Sequence, residues 1–282
     1  MNNTLAFLTI LNRHFQVNYD INPWMHCQQR NVNIEKAEDQ YNALLDLIDI
    51  DGHCVYFDID DELIPDIVFT ANAGIVNGDK VLLSNFYYPE RKRETPQIKR
   101  VFEQLGFKPE EIDKPSITFE GAGDCLLDVD RNIAWMGFGF RTSLHAKSYV
   151  EKFYGDDVMV RPLRLINPNF YHLDTCFCPL SDGRLLYYPR AFDEHSIYLI
   201  NTWYQEKAIV VEPEEANDFV CNAVEINKTI IVNRMSKRLK TILENLGYKI
   251  VETPLTEFIK SGGSAKCLTL LLNPRKYGDQ VL

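Results

Sequence analysis

Cys267 lies in the stretch "SGGSAKCLTLLLNP", between a flexible glycine pair and an apolar run. A thiol in that setting is either a small core residue or a nucleophile. Four other residues recur at comparable places among apolar or small neighbours: Asn72, Asp124, Asp174 and Asn222. Taken with Cys267, their successive separations are 52, 50, 48 and 45 residues. Glu120 and His172 lie four and two residues ahead of Asp124 and Asp174, so extended strands would point each pair to one side. Carboxylates gathered with a cysteine and a histidine suit one substrate group in particular. A guanidinium is planar and binds carboxylates through paired N–H donors, which fits Asp124 and Asp174, helped by Glu120. Its carbon is a poor electrophile and calls for a thiolate, the role open to Cys267. A protonated His172 and the bound cation would favour that thiolate, and the imidazole would serve as proton donor to the departing amine and then as base for water.

Elements that would gather these residues are visible as a repeat. "FTANAGIVNGDKVLLS", "FEGAGDCLLDVDRNIAWMG", "YHLDTCFCPLSDGRLLYYP" and "FVCNAVEINKTIIVN" each read as strand, polar turn, strand, and "GGSAKCLTLLLNP" is a fifth, shorter member. Helical spacing follows in "ETPQIKRVFEQLGF", "SLHAKSYVEKFYG" and "MSKRLKTILENLGY". In the last of these, Leu239, Ile242, Leu243 and Leu246 form the apolar stripe, Ser236 is the expected N-cap and Gly247 the expected C-terminal stop. A recurrence near 50 residues predicts strand-strand-helix-strand units around a ring, an α/β propeller of five blades with the polar positions in a central funnel. No linker interrupts the series, so residues 1–282 read as a single domain.

Composition narrows the partners. The chain is 45% hydrophobic, enough for a substantial core, and 40 acidic against 30 basic residues argue against nucleic acid or an anionic membrane. A small cationic ligand fits that balance better. No apolar run spans a bilayer and the N-terminus lacks the features of a secretory signal, which makes the cytoplasm the default location. The seven cysteines, scattered and odd in number, read as reduced thiols. His172, Cys176 and Cys178 lack a fourth ligand for zinc, so no metal and no cofactor is expected.

"FEGAGD", "FYHLDTCFCPL" and "GGSAKCLTL", in that order, resemble the guanidine-modifying (amidinotransferase) superfamily, which includes arginine deiminases, dimethylarginine hydrolases and glycine amidinotransferases. The resemblance runs over nearly the whole chain and implies a five-bladed propeller. It implies Cys267 as nucleophile, His172 as general acid and base, and Glu120 and Asp174 as guanidinium ligands, with Glu120 also orienting the histidine. "INPWM" with Asn22, "FTANAG" with Asn72 and "ETPLTEF" are most similar to the arginine dihydrolase domain of cyanobacterial arginine-guanidine-removing enzymes, which take arginine to ornithine, carbon dioxide and two ammonia. Deiminases and dimethylarginine hydrolases usually carry Asp where this chain has Asn72, whereas succinylarginine dihydrolases share the Asn. An amide can serve both a charged guanidinium and a neutral ureido group, which would let citrulline stay for a second attack. The sequence stops near residue 282, without the long C-terminal region of the two-domain cyanobacterial enzymes, which puts a second activity on this chain in doubt. Arg91 and Arg141 match the superfamily's carboxylate-binding arginines.

Plainer readings stand beside these. Asp124, Asp174 and Glu120 could cap hairpins by accepting from backbone amides, Asn222 could be a turn residue, and Asn22 could do no more than shape the turn before Trp24. Dimethylarginine hydrolase, arginine deiminase, amidinotransferase and a nonenzymatic arginine-binding module remain as alternatives, and a homo-oligomer is left open.

Overall fold

The computed structural model describes residues 4–273. Strand β1 (Leu5–Asn12) runs parallel to β2 (Gly52–Ile59), and the helix Ile34–Ile48 makes the crossover between them. Four units of one pattern follow. In the first, β3 (Gly74–Asn77) pairs antiparallel with β4 (Lys80–Leu83), and β4 pairs parallel with β5 (Lys108–Glu110) after the helix Glu94–Gln104. The second has β6 (Cys125–Asp128), β7 (Ile133–Phe138), the helix Lys147–Tyr154 and β8 (Met159–Arg164) in the same arrangement. The third has β9 (Phe177–Pro179), β10 (Leu185–Tyr187), the helix Glu194–Tyr204 and β11 (Ala208–Val210). The fourth has β12 (Val224–Ile226), β13 (Thr229–Val232), the helix Lys237–Asn245 and β14 (Lys249–Glu252). Finally β15 (Leu270–Leu271) pairs antiparallel with β1, so the two ends of the described chain build the fifth sheet together. The result is the expected α/β propeller of five three-stranded blades.

Local chemistry accounts for these elements. Ser236 caps its helix by accepting from Leu239 N, and Gly247 follows that helix at φ +86°, a conformation glycine adopts without penalty. Leu239 and Leu243 of the apolar stripe are fully buried. The helix Glu194–Tyr204 has a weaker periodic signal and is started by Asp193, whose carboxylate accepts from Ser196 N. Around the outside, helices and sheets pack in three apolar clusters, one centred on Trp135 with Phe177 and Tyr204.

One expectation changes. The polar position of each of the first three hairpins lies in a single helical turn just ahead of the first strand, not within it: Thr70–Ala73, Gly121–Asp124 and Leu173–Thr175. Strand alternation therefore does not align Glu120 with Asp124 or His172 with Asp174.

Closure of the fifth blade is the joint on which the ring depends. Leu8 of β1 is fully buried and sits opposite both Leu270 and Val55. Leu8→Ala is expected to lower unfolding stability by about 3 kcal/mol through the cavity it leaves. Ile50→Ala, at a side chain 69% exposed, is expected to cost about 0.5 kcal/mol or less; urea unfolding of the two variants makes the comparison.

Candidate active site

Hydrogen bonds across the axis link each blade to another. Asn72 Nδ2 donates to Glu120 O at 3.2 Å, and Asp124 Oδ1 accepts from Leu173 N at 3.0 Å. Asn222 Nδ2 donates to Asp174 O at 3.0 Å, while its Oδ1 accepts from Ser264 N and Cys267 N, both at 3.1 Å. Ala71 N donates to Cys267 O at 3.0 Å and closes the circle. The five repeat positions are thus brought together at the centre.

On one side of this ring lies a pocket lined by Cys267, His172, Asn72, Asp66, Arg91 and Arg141. Ile21 and Asn22, from a segment that crosses over it, and Gly262, Ser261, Phe69 and Tyr171 complete the wall. Its free volume is about 10 Å³, room for about one water molecule. The expected central funnel is in this structure a small chamber lined by buried residues.

Glu120 and His172 form its first functional pair. His172 Nε2 lies 2.7 Å from Glu120 Oε2, and the same oxygen accepts from Arg141 NH1 at 3.1 Å. Tyr87 N donates to the other oxygen. Burial alone would raise the Glu120 pKa, but Arg141 and His172 outweigh it and hold the carboxylate well below its usual range. An ionised carboxylate only accepts, which assigns the ring proton to Nε2 and leaves Nδ1 with a lone pair. Burial pulls the His172 pKa down to about 4, against the support of Glu120 and with Arg141 and Arg91 opposing the cation. The histidine is neutral at pH 7 in the free protein. The expectation of a protonated His172 beside the thiolate concerns the substrate-bound state, after the imidazole has taken a proton.

Cys267 and Asp174 form the second pair. Cys267 Sγ lies 3.2 Å from Asp174 Oδ2, and Asn222 Nδ2 donates to the sulfur at 3.1 Å. Burial and the neighbouring Asp174 push the thiol pKa well above its ordinary value, so without a cation in the pocket the sulfur keeps its proton. Burial also pushes Asp174 up to about 6, and its Oδ1 has no partner among the described residues. A cation beside Asp174 and Cys267 would lower both pKa values.

The remaining walls are already engaged. Arg91 is buried, and four of its five N–H donors are spent: Nε and NH2 on the two Glu94 oxygens, NH2 again on Asp66 O, and NH1 on Asn72 Oδ1 at 2.9 Å. That last bond fixes the Asn72 amide with its oxygen toward Arg91 and its nitrogen toward Glu120 O. Gly123 makes room for it, since a Cβ there would lie 2.1 Å from Asn72 Nδ2. Arg141 spends two donors, on Glu120 and on Ile21 O, and is held between the rings of Tyr88 and Tyr171. Asn22 caps its own turn by accepting from Trp24 N and Met25 N, and donates to Ser261 O. The glycine pair before Cys267 is close-packed, not flexible: a Cβ on Gly263 would sit 2.4 Å from the Phe69 ring.

Of the residues singled out in the sequence, Cys267, His172, Asn72, Asn22, Arg91 and Arg141 line the chamber, and Glu120 and Asp174 stand directly behind His172 and Cys267. Asp124 does not line it. Its Oδ1 accepts from Leu173 N, a contact that fits the hairpin-capping reading, while its Oδ2, like Asp174 Oδ1, has no hydrogen-bond partner among the described residues. One residue went unread. Asp66 lines the chamber, held by Tyr19 OH at 2.8 Å and Ser261 Oγ at 2.9 Å, and burial raises its pKa. Asn222, left between turn and pocket wall, holds the backbone and sulfur of Cys267. A buried Asp in the apolar run "LIPDIVFT" was the available signal for Asp66.

Among the described residues no group of histidine, cysteine or carboxylate side chains is arranged to hold a metal ion, and no helix is long and apolar enough to cross a membrane.

Comparison with known proteins agrees with this fold. A bifunctional arginine dihydrolase/ornithine cyclodeaminase of Synechocystis is 47% identical over 260 residues, which is 91% of this chain and 36% of that protein. The chain therefore spans about a third of the length of that relative. The dimethylarginine dimethylaminohydrolase of Mycobacterium tuberculosis is 32% identical and covers 92% of this chain and 83% of its own length. A crystal structure of the N-terminal domain of a cyanobacterial arginine dihydrolase bound to substrate superposes with a TM-score of 0.92 at 45% identity, covering 95% of this chain and 98% of that one. The family model described as N,N dimethylarginine dimethylhydrolase, eukaryotic, matches residues 12–272, and the chain belongs to that family.

Proposed function

We propose that this chain, acting as one catalytic unit, hydrolyses L-arginine to ornithine, carbon dioxide and two molecules of ammonia. The observation that carries the reading is the pairing, on one closed chamber, of a thiol held by Asp174 and Asn222 with a neutral histidine backed by an ionised Glu120. Similarity to a cyanobacterial arginine dihydrolase solved with its substrate supports it.

Asp174 takes the guanidinium through its empty oxygen. Asp66 and the free donors of Arg141 meet the α-ammonium and α-carboxylate of the amino acid. The bound cation lowers the Cys267 pKa, and His172 Nδ1 accepts the thiol proton. Sγ attacks the guanidinium carbon, an S–C bond forms, and a terminal C–N bond breaks as His172 returns the proton to the departing ammonia. Water then attacks the thiouronium carbon, with His172 taking its proton, and the C–S bond breaks to leave citrulline. Asn72 retains one donor and one acceptor position beyond its bonds to Glu120 O and Arg91, enough to hold the neutral ureido group. A second attack by Sγ expels the second ammonia, and hydrolysis of the thiocarbamate gives a carbamate that falls apart into carbon dioxide and ornithine. The segment carrying Ile21 and Asn22 has to open for arginine to enter, and it keeps water out when closed.

A second reading, hydrolysis of dimethylarginine to citrulline and dimethylamine, is favoured by the family model and by the M. tuberculosis relative. Product analysis by mass spectrometry, with arginine, citrulline and dimethylarginine offered separately, decides between them. Ornithine with two ammonia per arginine is expected, Cys267→Ser is expected to abolish it, and Asn72→Asp is expected to shift the product toward citrulline. Citrulline as the wild-type end product, or dimethylamine released faster than ammonia, would count against the dihydrolase.

The acid limb of the pH profile has a stated origin. Asp174 has a raised pKa of about 6, so it stays protonated to higher pH than a free carboxyl and cannot bind a cation there. kcat/KM for arginine is expected to climb as pH rises through about 6. Asp174→Asn is expected to remove that limb and to lower kcat/KM by about a hundredfold or more through loss of the charged acceptor; steady-state assays across pH 5 to pH 8 check both.

A further inference from the structure

In the run "RKRE" the two outer residues, Arg91 and Glu94, are buried, while Lys92 and Arg93 between them are exposed. Arg91 belongs to the short helix Pro89–Lys92 and Glu94 opens the helix Glu94–Gln104, so a separation of three residues sets the outer pair on one side of a helical turn. Glu94 is 1% exposed and does not line the chamber. Both of its oxygens are spent on Arg91, one accepting from Nε at 2.7 Å and the other from NH2 at 2.8 Å.

A carboxylate that takes Nε and NH2 together fixes the plane of a guanidinium. The Arg91 guanidinium also lies over the Phe86 ring, 4.6 Å from its centre. Held in that plane, Arg91 has NH1 on the side away from Glu94, and NH1 donates to Asn72 Oδ1 at 2.9 Å. At its other end the Asn72 amide donates from Nδ2 to Glu120 O at 3.2 Å. Arg91 can only donate and a carbonyl can only accept, so the amide is held one way round. A chain of printed-length hydrogen bonds thus runs from a buried carboxylate behind the wall, through one arginine, to an amide that lines the chamber.

We propose that Glu94 is a positioning residue: by clamping Arg91 it aims the Asn72 amide at the ligand and so sets how firmly the chamber holds a neutral ureido group. Glu94 acts through Arg91 and Asn72 and touches no substrate. Arginine keeps the attraction of its charge to Asp174, whereas citrulline has no charge and depends on hydrogen bonds such as those of Asn72. The contribution of Glu94 is therefore concentrated in the second hydrolysis, and this rests on the dihydrolase reading above.

Glu94→Asp keeps the charge on a shorter side chain, which cannot hold both guanidinium nitrogens with Arg91 in its present place. Turnover of citrulline is expected to fall about tenfold more than the first cleavage of arginine, the size of one neutral hydrogen bond, so that citrulline accumulates from arginine. In the Cys267→Ser background, calorimetry is expected to show citrulline bound more weakly by the same factor and ornithine, which has no ureido group, bound as before. With Asn72→Ser also present, Glu94→Asp is expected to have no further effect on the citrulline-to-ornithine affinity ratio. A purely structural role would lower the melting temperature and weaken both ligands and both cleavages alike, and that result overturns the proposal. If Glu94→Asp does not fold, a crystal structure of Cys267→Ser with citrulline decides: Arg91 clamped by Glu94 with NH1 on Asn72 supports the proposal, and Arg91 turned away from Asn72 overturns it. If wild-type protein fails to turn over citrulline, the dihydrolase reading falls, while the affinity ratio still shows whether Glu94 acts through Asn72.

Discussion

The site and the ring of blades share one set of hydrogen bonds, those of the buried polar side chains at the axis. Asn72, Asp124 and Asn222 bond to backbone atoms of other blades, and Asn222 also holds the Cys267 amide and sulfur. Each of these groups is buried, so leaving one unpaired costs about 1–3 kcal/mol. The network is thereby forced to close, and closing it fixes Cys267 against Asp174 and His172 against Glu120. Structural and functional readings of these residues are not alternatives. Asn222 is both a staple and the support of the thiol, and Asp124 is a staple through Oδ1 with its Oδ2 left unpartnered among the described residues.

Charge matching determines what the chamber can accept. Its two arginines are neutralised in place by Glu94 and Glu120, and the histidine is uncharged. Asp174 keeps an empty oxygen beside a protonated thiol. On the proposed reading, a cation that fills the chamber would create the thiolate it then reacts with, and the nucleophile would be made by the ligand and not stored in the free protein.

Closure has the same economy. The segment that covers the chamber is latched by Arg141 to Ile21 O, by Asn22 to Ser261 O and by the Trp24 indole to Asn169 O at 2.7 Å. Arg141 also holds Glu120, so the carboxylate that orients His172 and the cover over the chamber share one guanidinium. The cover and the support of the histidine are thereby joined through one side chain.

Much of this was legible in the chain. The 45-to-52-residue recurrence, the hairpin turns and the capped helix at Ser236 follow from local rules of periodicity and turn chemistry, which act over a few residues. The types at Cys267, His172, Glu120 and Asp174 were enough to name a chemistry, because few residue sets can attack a guanidinium carbon. What local rules do not reach is pairing between distant segments. β1 belongs to the blade completed by β15, and the Asn22 contact to Ser261 spans 239 residues. Asp66 sits in an unremarkable apolar run, and only folding brings it to Ser261. Whether Arg91 is free or spent, whether the glycine pair flexes or packs, and whether His172 carries a charge are all set by burial and by partners from other blades. The sequence by itself determined the repeat and the reactive groups, since those are properties of residue type and spacing. The tertiary structure alone decided which of these groups are paired, buried and charged, because those depend on distances that the chain acquires only when the ring closes.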